Sequence, residues 1–386
     1  MTDKSTAAKI KPPMRILVAS HTYITDINCE KLRAIAHLGT EVAIVVPRRW
    51  RPGGVQSGLI ETQPRQEANL RIVPITNFSQ NHQGLLSFGF DIVPLLQQFR
   101  PQIIQVEQGA KSIAYAQLIT LNRLLGLKAK NLLFTWWNLP YVLKFPLSQL
   151  EAYNLRSTHG AIVGNQDAAN ILQQHEYEKA IAIIPQLGVD EQQFHPQPQP
   201  ELAAKLCLNS TDFVVGFVGR FVKEKGLRTL VAALQLLDRS WKLLLIGRGE
   251  LLPELREQLG DRLICVESVP QAEVPRYLNL MDVLVLPSET TAFWKEQFGH
   301  VLIEAMACHV PVIGSNSGEI PNVIGNAGLI FAEGNVAELR DRLLQMMQPN
   351  YAAEYAKRGF DRVHKHYTNS VLAQQQFTFY QQLLQS

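Results

Sequence analysis

Short apolar runs alternate with longer amphipathic stretches along almost the whole chain, and this alternation narrows the fold more than any other feature. RILVAS (15–20), EVAIVV (41–46), LRIVPI (70–75), QIIQVE (102–107), NLLFTW (131–136), AIVG (161–164) and AIAIIP (180–185) form a first series. FVVGFV (213–218), KLLLIG (242–247), RLICVE (262–267), DVLVLP (282–287) and VPVIG (310–314) form a second. Between them lie helical patterns such as 109–126, 226–237, 250–259 and 335–347. Strand, helix, strand in repeated order predicts parallel sheets covered on both faces.

With 386 residues the chain exceeds one ordinary core. The two series are separated by LGVDEQQFHPQPQPELAAK (187–205), rich in proline and glutamine, which predicts an interdomain linker. The reading is a mobile tail (1–13), a first Rossmann-like domain (14–190), a linker (191–211), a second such domain (212–366) and a terminal helix (367–386) packing back on the first domain. Ligands bind doubly wound sheets at the carboxyl ends of their strands, so a cleft between two such domains is lined by two rows of strand-end loops.

Composition excludes several classes. Hydrophobic content of 46% with 18% charged residues suits a globular protein, and no apolar run is long enough to span a bilayer. The N-terminal MTDKSTAAKIKPP has no apolar core of the secretory kind. Cys29, Cys207, Cys265 and Cys308 are scattered without metal spacing and predict buried free thiols in a reducing, cytoplasmic setting. A net charge of +3 argues against nucleic acid as the main partner. Yet residues 1–60 hold nine Lys/Arg against four Asp/Glu, and PRRWRPGG (47–54) joins three arginines to a tryptophan. That stretch reads as a solvated loop, or as a peripheral contact with anionic lipid or an acidic acceptor.

Three segments carry the chemistry. In FVVGFVGRFVKEKG (213–226) a buried strand runs into Gly219 and Arg220, and Lys225-Gly226 opens the next helix. Two cations beside a helix N-terminus suit a diphosphate. In KLLLIGRGEL (242–251), Gly247 and Gly249 lack the third glycine of a dinucleotide fingerprint. A tight turn is the better reading, with Gly247 giving a nucleotide room to pack. In SETTAFWKEQFGHVLIEAMAC (288–308) a strand-end loop holds Glu296, and a helix begins near Gly299. The amides of Phe298, Gly299 and His300 then form an anion site. Glu304 shares an apolar helix face with Val301, Ala307 and Cys308, so its carboxylate needs hydroxyl or amide partners, which a ribose supplies, or a buried cation.

GRFVKEKG, LPSETTAFWKEQFGHVLIEAMAC and PQLGVDEQQFHP together resemble family 4 of the retaining glycosyltransferases, which have the GT-B fold. The likeness covers residues 14–386 and is strongest from 181 to 332. It implies a nucleotide-sugar donor and no metal or other cofactor. It places Arg220 and Lys225 on the donor's diphosphate, Glu296 against the donor sugar and reacting centre, and Glu304 on the ribose. The backbone of Gln297, Phe298 and Gly299 would meet phosphate and sugar. The sequence departs from the family in three places. His309 stands where a glycine is usual after EAMAC, and His21-Thr22-Tyr23 follows the first strand instead of paired glycines. Trp137-Asn138 and Glu107 end later strands where a histidine is often found. His21, Glu107 and Asn138 are therefore the acceptor-side candidates.

The implied reaction moves a hexose from a UDP- or GDP-linked donor to a saccharide or lipid-linked hydroxyl with retention, in exopolysaccharide, envelope or glycolipid synthesis. No D-x-D occurs to hold a metal. The rivals are another two-domain nucleotide-sugar enzyme, such as an epimerase, and a non-catalytic binding protein. Trp136, Trp137, Tyr141, Lys144 and Phe145 form an aromatic-basic segment that suits a lipid or a saccharide, or simply the first domain's own packing.

Overall fold

The computed structural model describes residues 13–52 and 58–386. The expected tail, Pro13 excepted, and Gly53 and Gly54 of the arginine-rich stretch lie outside the described residues. The strands in chain order are β1 (Met14–Ala19), β2 (Thr40–Pro47), β3 (Arg49–Trp50), β4 (Ile60–Glu61), β5 (Arg65–Glu67), β6 (Leu70–Ile75), β7 (Ile103–Val106), β8 (Lys130–Thr135), β9 (Gly160–Val163) and β10 (Ala180–Ile183). The second half adds β11 (Phe213–Val218), β12 (Trp241–Ile246), β13 (Leu263–Val266), β14 (Val283–Leu286), β15 (Val312–Ser315) and β16 (Leu329–Phe331).

The first sheet runs β10-β9-β8-β7-β1-β2-β6-β5, and the second β13-β12-β11-β14-β15-β16. Every pairing in both is parallel except that of β5 on the edge. Each sheet winds outward from its first strand and then back past it. The winding reverses between β1 and β7 in the first sheet and between β11 and β14 in the second, and the central strands are largely apolar and buried. Ile16, Leu17, Val18 and Ala19 of β1, like Val283, Leu284 and Val285 of β14, have no exposed surface. A crevice opens at the carboxyl ends of the strands where the winding reverses, and the loops there are the ones that hold a ligand.

Two apolar cores result. One joins the first sheet to Leu372, Phe379, Tyr380 and Leu383 of the helix Asn369–Gln385, and the other surrounds the second sheet. The chain crosses between them twice. The crossings are pinned side by side: the Val189 amide donates to the Tyr367 carbonyl at 2.9 Å, and the Asn369 amide to the Val189 carbonyl at 3.0 Å. Gly188 sits there because a side chain would come within 2.8 Å of the Asn369 nitrogen. A short helix, Pro200–Lys205, lies within the proline-rich stretch. Of the cysteines, Cys29 and Cys308 are buried, whereas Cys265 is half-buried and Cys207 is exposed. The expectation of four buried thiols therefore fails at Cys207, which ends the Pro200–Lys205 turn on the surface. No helix among the described residues is long and apolar enough to cross a membrane.

Candidate functional site

The loops at the second sheet's reversal bring together side chains far apart in sequence. After β11 the chain turns through Gly219 and Arg220, makes a single turn at Lys223–Lys225, and enters the helix Leu227–Gln235 through Gly226. Gly226 is left-handed, with φ of 66°, and a Cβ there would lie 1.8 Å from the Pro287 carbonyl oxygen. The lysine turn thus presses against the end of β14. Glu296, on the loop after β14, meets it: Lys225 Nζ donates to Glu296 Oε2 at 2.6 Å, and Ser288 Oγ donates to the same oxygen at 2.8 Å. Both charged side chains are largely buried, Lys225 at 15% and Glu296 at 10% exposure. Lys225 Nζ also lies 4.7 Å from the Trp294 ring centroid.

Arg220 differs. It is half exposed and, among the described residues, meets a carboxylate only in a 3.5 Å contact to Glu224 on the same turn. Its guanidinium remains open to an incoming anion, whereas the Lys225 charge is neutralised by Glu296.

Gly247 and Gly249 are not there for a dinucleotide. A Cβ at Gly247 would fall 2.0 Å from the Gly219 carbonyl oxygen, and one at Gly249 would fall 2.3 Å from that of Phe221. The two glycines let the loop after β12 lie directly on the loop that carries Arg220. On the side where a Cβ would stand, Gly247 meets protein backbone.

The helix His300–Ala307 starts at Gly299, whose φ is 81°; the Leu302 amide turns back to the Gly299 carbonyl at 2.9 Å, and the amides before it are those that a helix start leaves without an intrahelical acceptor. Phe298, just before it, is buried against Trp136 and Tyr367, with ring centroids 5.7 Å away in each case. His300 and Glu304 face a cavity of about 930 Å³ between the lobes, lined also by Asn28, Arg248, Gln271 and the crossing segment 187–190. Burial lowers the His300 imidazole to about 4, and a backbone hydrogen bond at Gly188 offsets this in part. Burial pushes the Glu304 carboxyl up to about 7, and the Gln271 amide, donating to Oε1 at 3.2 Å, works against that rise. The carboxyl has an amide partner and, among the described residues, no cation, so the amide reading of its surroundings holds over the ion-pair reading.

The acceptor-side candidates separate. His21 and Glu107 stand at the first sheet's reversal and line a smaller cavity of about 320 Å³, together with Lys111, Trp137, Tyr141 and Gln297. His21 packs on Trp50 at 5.1 Å, its Nδ1 has no hydrogen-bond partner among the described residues, and burial lowers it to about 4. Glu107 is buried and accepts from Gln105 Nε2 at 2.6 Å and Gln186 Nε2 at 2.7 Å. Asn138 is committed elsewhere. Its Nδ2 donates to the carbonyls of Lys295 and Glu296 at 3.2 and 3.1 Å, across the domain boundary. Asn165 does the same for Gln297 at 3.1 Å, while its Oδ1 caps the helix Gln166–Gln174 by accepting from Ala168. Asp167 meets Lys295 at 2.7 Å. The loop 295–297 is therefore held by the first lobe, and it runs between the cavities: Gln297 lines the smaller, and His300 and Glu304 line the larger.

Sequence reasoning did not single out Ser288, Trp294, Gln271, Asn165 or Gln186. Only Ser288 carries a local signal, as the first residue after DVLVLP at a strand's carboxyl end. The others become visible only when the lobes are assembled.

Known proteins resemble this chain in sequence and in fold. Residues 198–360 match the family described as Glycosyl transferases group 1. The chain is 27% identical over 208 residues to N-acetyl-alpha-D-glucosaminyl L-malate synthase of Bacillus anthracis, covering 51% of this chain and 52% of that protein. It is 31% identical over 174 residues to a GDP-mannose-dependent alpha-(1-6)-phosphatidylinositol monomannoside mannosyltransferase of Mycobacterium tuberculosis, covering 42% and 45%. The chain thus spans about half the length of the curated relatives it matches. Among solved structures, sucrose-phosphate synthase from Thermosynechococcus elongatus superposes with a TM-score of 0.72 at 20% identity, over 96% of this chain and 99% of that one. Anabaena Alr3699/HepE in complex with UDP and glucose superposes with a TM-score of 0.70 at 16% identity, over 96% and 100%. Two Rossmann-like domains facing a cleft, the GT-B arrangement, are the fold of this chain.

Proposed function

We propose that this chain is a retaining glycosyltransferase that moves a hexose from a UDP- or GDP-linked donor to a hydroxyl of a saccharide or lipid-linked acceptor. The observation that carries this reading is the meeting of Lys225, Glu296 and Ser288 at the second sheet's reversal, with Arg220 exposed on the same turn. The match of residues 198–360 to group 1 glycosyl transferases supports it, as does the superposition on a protein whose structure holds UDP and glucose.

The roles follow from charge and position. The leaving nucleoside diphosphate gains negative charge as the glycosidic bond breaks. Arg220, Lys225 and the amides at the start of the helix His300–Ala307 stabilise that charge. Glu304 accepts from the ribose hydroxyls. Glu296 holds Lys225 in place and lies against the sugar. The acceptor enters from the smaller cavity, past His21 and Gln297, on the face the diphosphate leaves. Holding both substrates in one crevice lowers the barrier by roughly 7–11 kcal/mol through proximity alone.

The test mixes the protein with UDP- and GDP-hexoses, with and without acceptor, and follows nucleoside diphosphate release. Release tied to acceptor supports transfer. Isomerised donor without acceptor would indicate an epimerase, and binding without turnover a non-catalytic protein. Glu296→Ala and Lys225→Ala each cut turnover strongly while the far-ultraviolet spectrum is kept. Near-normal rates in both refute the assignment.

A further inference from the structure

Large apolar side chains stand exposed on two segments that also contribute residues to the smaller cavity. Six of the fifteen exposed large hydrophobic side chains among the described residues fall in two short segments, 77–85 and 137–147. Phe78 is 74% exposed, Leu85 56%, Val142 93% and Phe145 82%. Irregular segments on a surface are ordinarily polar, and exposed apolar patches of this kind mark interaction sites.

Both segments belong to the cavity mouth. Gln83 lines the cavity from one side, and Trp137 and Tyr141 from the other. Lys111 Nζ sits between the last two rings, 3.9 and 3.5 Å from their centroids. A third segment, 47–52, is stitched to the first: the Arg51 amide donates to the Gln80 carbonyl at 2.7 Å, and Asn77 exchanges hydrogen bonds with the Arg49 backbone at 2.9 and 3.1 Å. The three segments together contain Arg48, Arg49, Arg51 and Lys144, and no aspartate or glutamate. Arg48 and Arg49 find carboxylates outside them, Asp91 at 3.3 Å and Glu61 at 3.5 Å. Arg51 and Lys144 are exposed and pair with no carboxylate among the described residues.

We infer that this rim docks on an anionic lipid surface. Protruding aromatic and aliphatic tips flanked by cations suit the headgroup boundary of a bilayer, where the tips insert and the cations meet anionic headgroups. A purely acidic protein partner would leave the apolar tips without a counterpart. The inference rests on the transfer reading for its consequence: with the cavity mouth against the bilayer, a lipid-anchored acceptor reaches His21 and Gln297 without leaving the membrane.

The test is cosedimentation of the full chain, without donor, with phosphatidylcholine vesicles and with vesicles that also contain phosphatidylglycerol. Wild type pellets with the mixed vesicles, and added salt weakens the binding. Phe78→Asp with Val142→Asp lowers the partition coefficient at least about tenfold, and Arg51→Glu with Lys144→Glu does so comparably. Thermal melting of both variants stays at the wild-type value, since all four side chains are exposed. Wild type remaining in the supernatant with mixed vesicles, or variants that bind as wild type does, overturns the inference, the former result assigning the patch to a protein partner. Because no donor is present, such a failure leaves the transfer reading standing. Loss of transfer to soluble acceptors with vesicle binding intact has the opposite meaning.

Discussion

Glu304 offers a measurement in which stability and ligand binding respond to pH in opposite directions. Burial lifts its carboxyl from the ordinary 4.5 to about 7. Between those values the folded protein keeps a proton that the unfolded chain has released. The stability contributed by the protonated acid is therefore complete below pH 4.5 and is lost as pH rises to about 7. The displacement, 7 minus 4.5, at about 1.36 kcal/mol per pH unit, amounts to about 3 kcal/mol. Glu304→Gln keeps the shape and never ionises. Its stability relative to wild type is expected to climb by about 3 kcal/mol between about pH 4.5 and about pH 8, read as urea midpoints on both proteins in parallel. His300 on the same cavity wall is lowered to about 4, so it stays neutral over most of the window and cancels in the comparison. Nucleoside diphosphate tests the same carboxyl from the other side. On the proposed ribose contact, the hydroxyls donate to the ionised form, so wild-type affinity is expected to rise through about pH 7, while Glu304→Gln follows only the ligand's own titration. A stability gap that stays constant with pH would refute the burial reasoning, and matching affinity profiles would refute the ribose contact.

Three further substitutions probe how the site is held. Asn138→Ala removes two hydrogen bonds to the carbonyls of Lys295 and Glu296 and is expected to cost about 1–3 kcal/mol. Its turnover should fall further than its stability implies, because Glu296 loses its anchor; unchanged kcat would sink this view of Asn138. Gly226→Ala places a methyl group 1.8 Å from the Pro287 carbonyl at a φ of 66°, so we expect a loss above about 2 kcal/mol in unfolding and at least a tenfold fall in turnover as Lys225 is displaced. His309 ends the helix His300–Ala307 in the left-handed region, with φ of 61°, and the Val310 amide closes the turn on the Ala305 carbonyl at 3.0 Å. His309→Gly should therefore raise the melting temperature, with a gain of about 1 kcal/mol reduced by the lost ring contact to Phe360.

The elements were legible because parallel strands buried on both faces leave continuous apolar runs, and DVLVLP and KLLLIG could hardly be anything else. The carboxyl ends of those strands announced the loops that hold Arg220, Lys225 and Glu296. The partners of those residues were hidden. Lys225 and Glu296 are 71 residues apart, and both are charged groups that sequence alone assigns separately to the donor. Asn138 and Glu296 are 158 apart and on different lobes, so nothing local distinguishes an amide facing the acceptor from one gripping the opposite loop. The Gly247-Gly249 pair shows the converse. Glycines after a strand predict close approach correctly, but they do not say whether a phosphate or another loop's carbonyl comes close. The exposed rim at Phe78 and Val142 was masked for a related reason, since apolar residues in a chain of this composition read as core until a surface is drawn.

The loop 295–299 is where these separate facts act on one another. Its side chain Glu296 neutralises Lys225 on the second lobe, and its carbonyls are gripped by Asn138 and Asn165 on the first. A diphosphate that draws Lys225 toward itself must compete with a 2.6 Å ion pair that is largely out of water, where an unpaired carboxylate is costly. Glu296 Oε2 would then keep only the Ser288 hydroxyl, at 2.8 Å. On the proposed assignment, a donor at the second lobe would act on the same short segment that contributes Gln297 to the smaller cavity. The first lobe holds that segment through its backbone carbonyls and through the ion pair of Asp167 with Lys295 at 2.7 Å, so the segment is tied to both lobes at once.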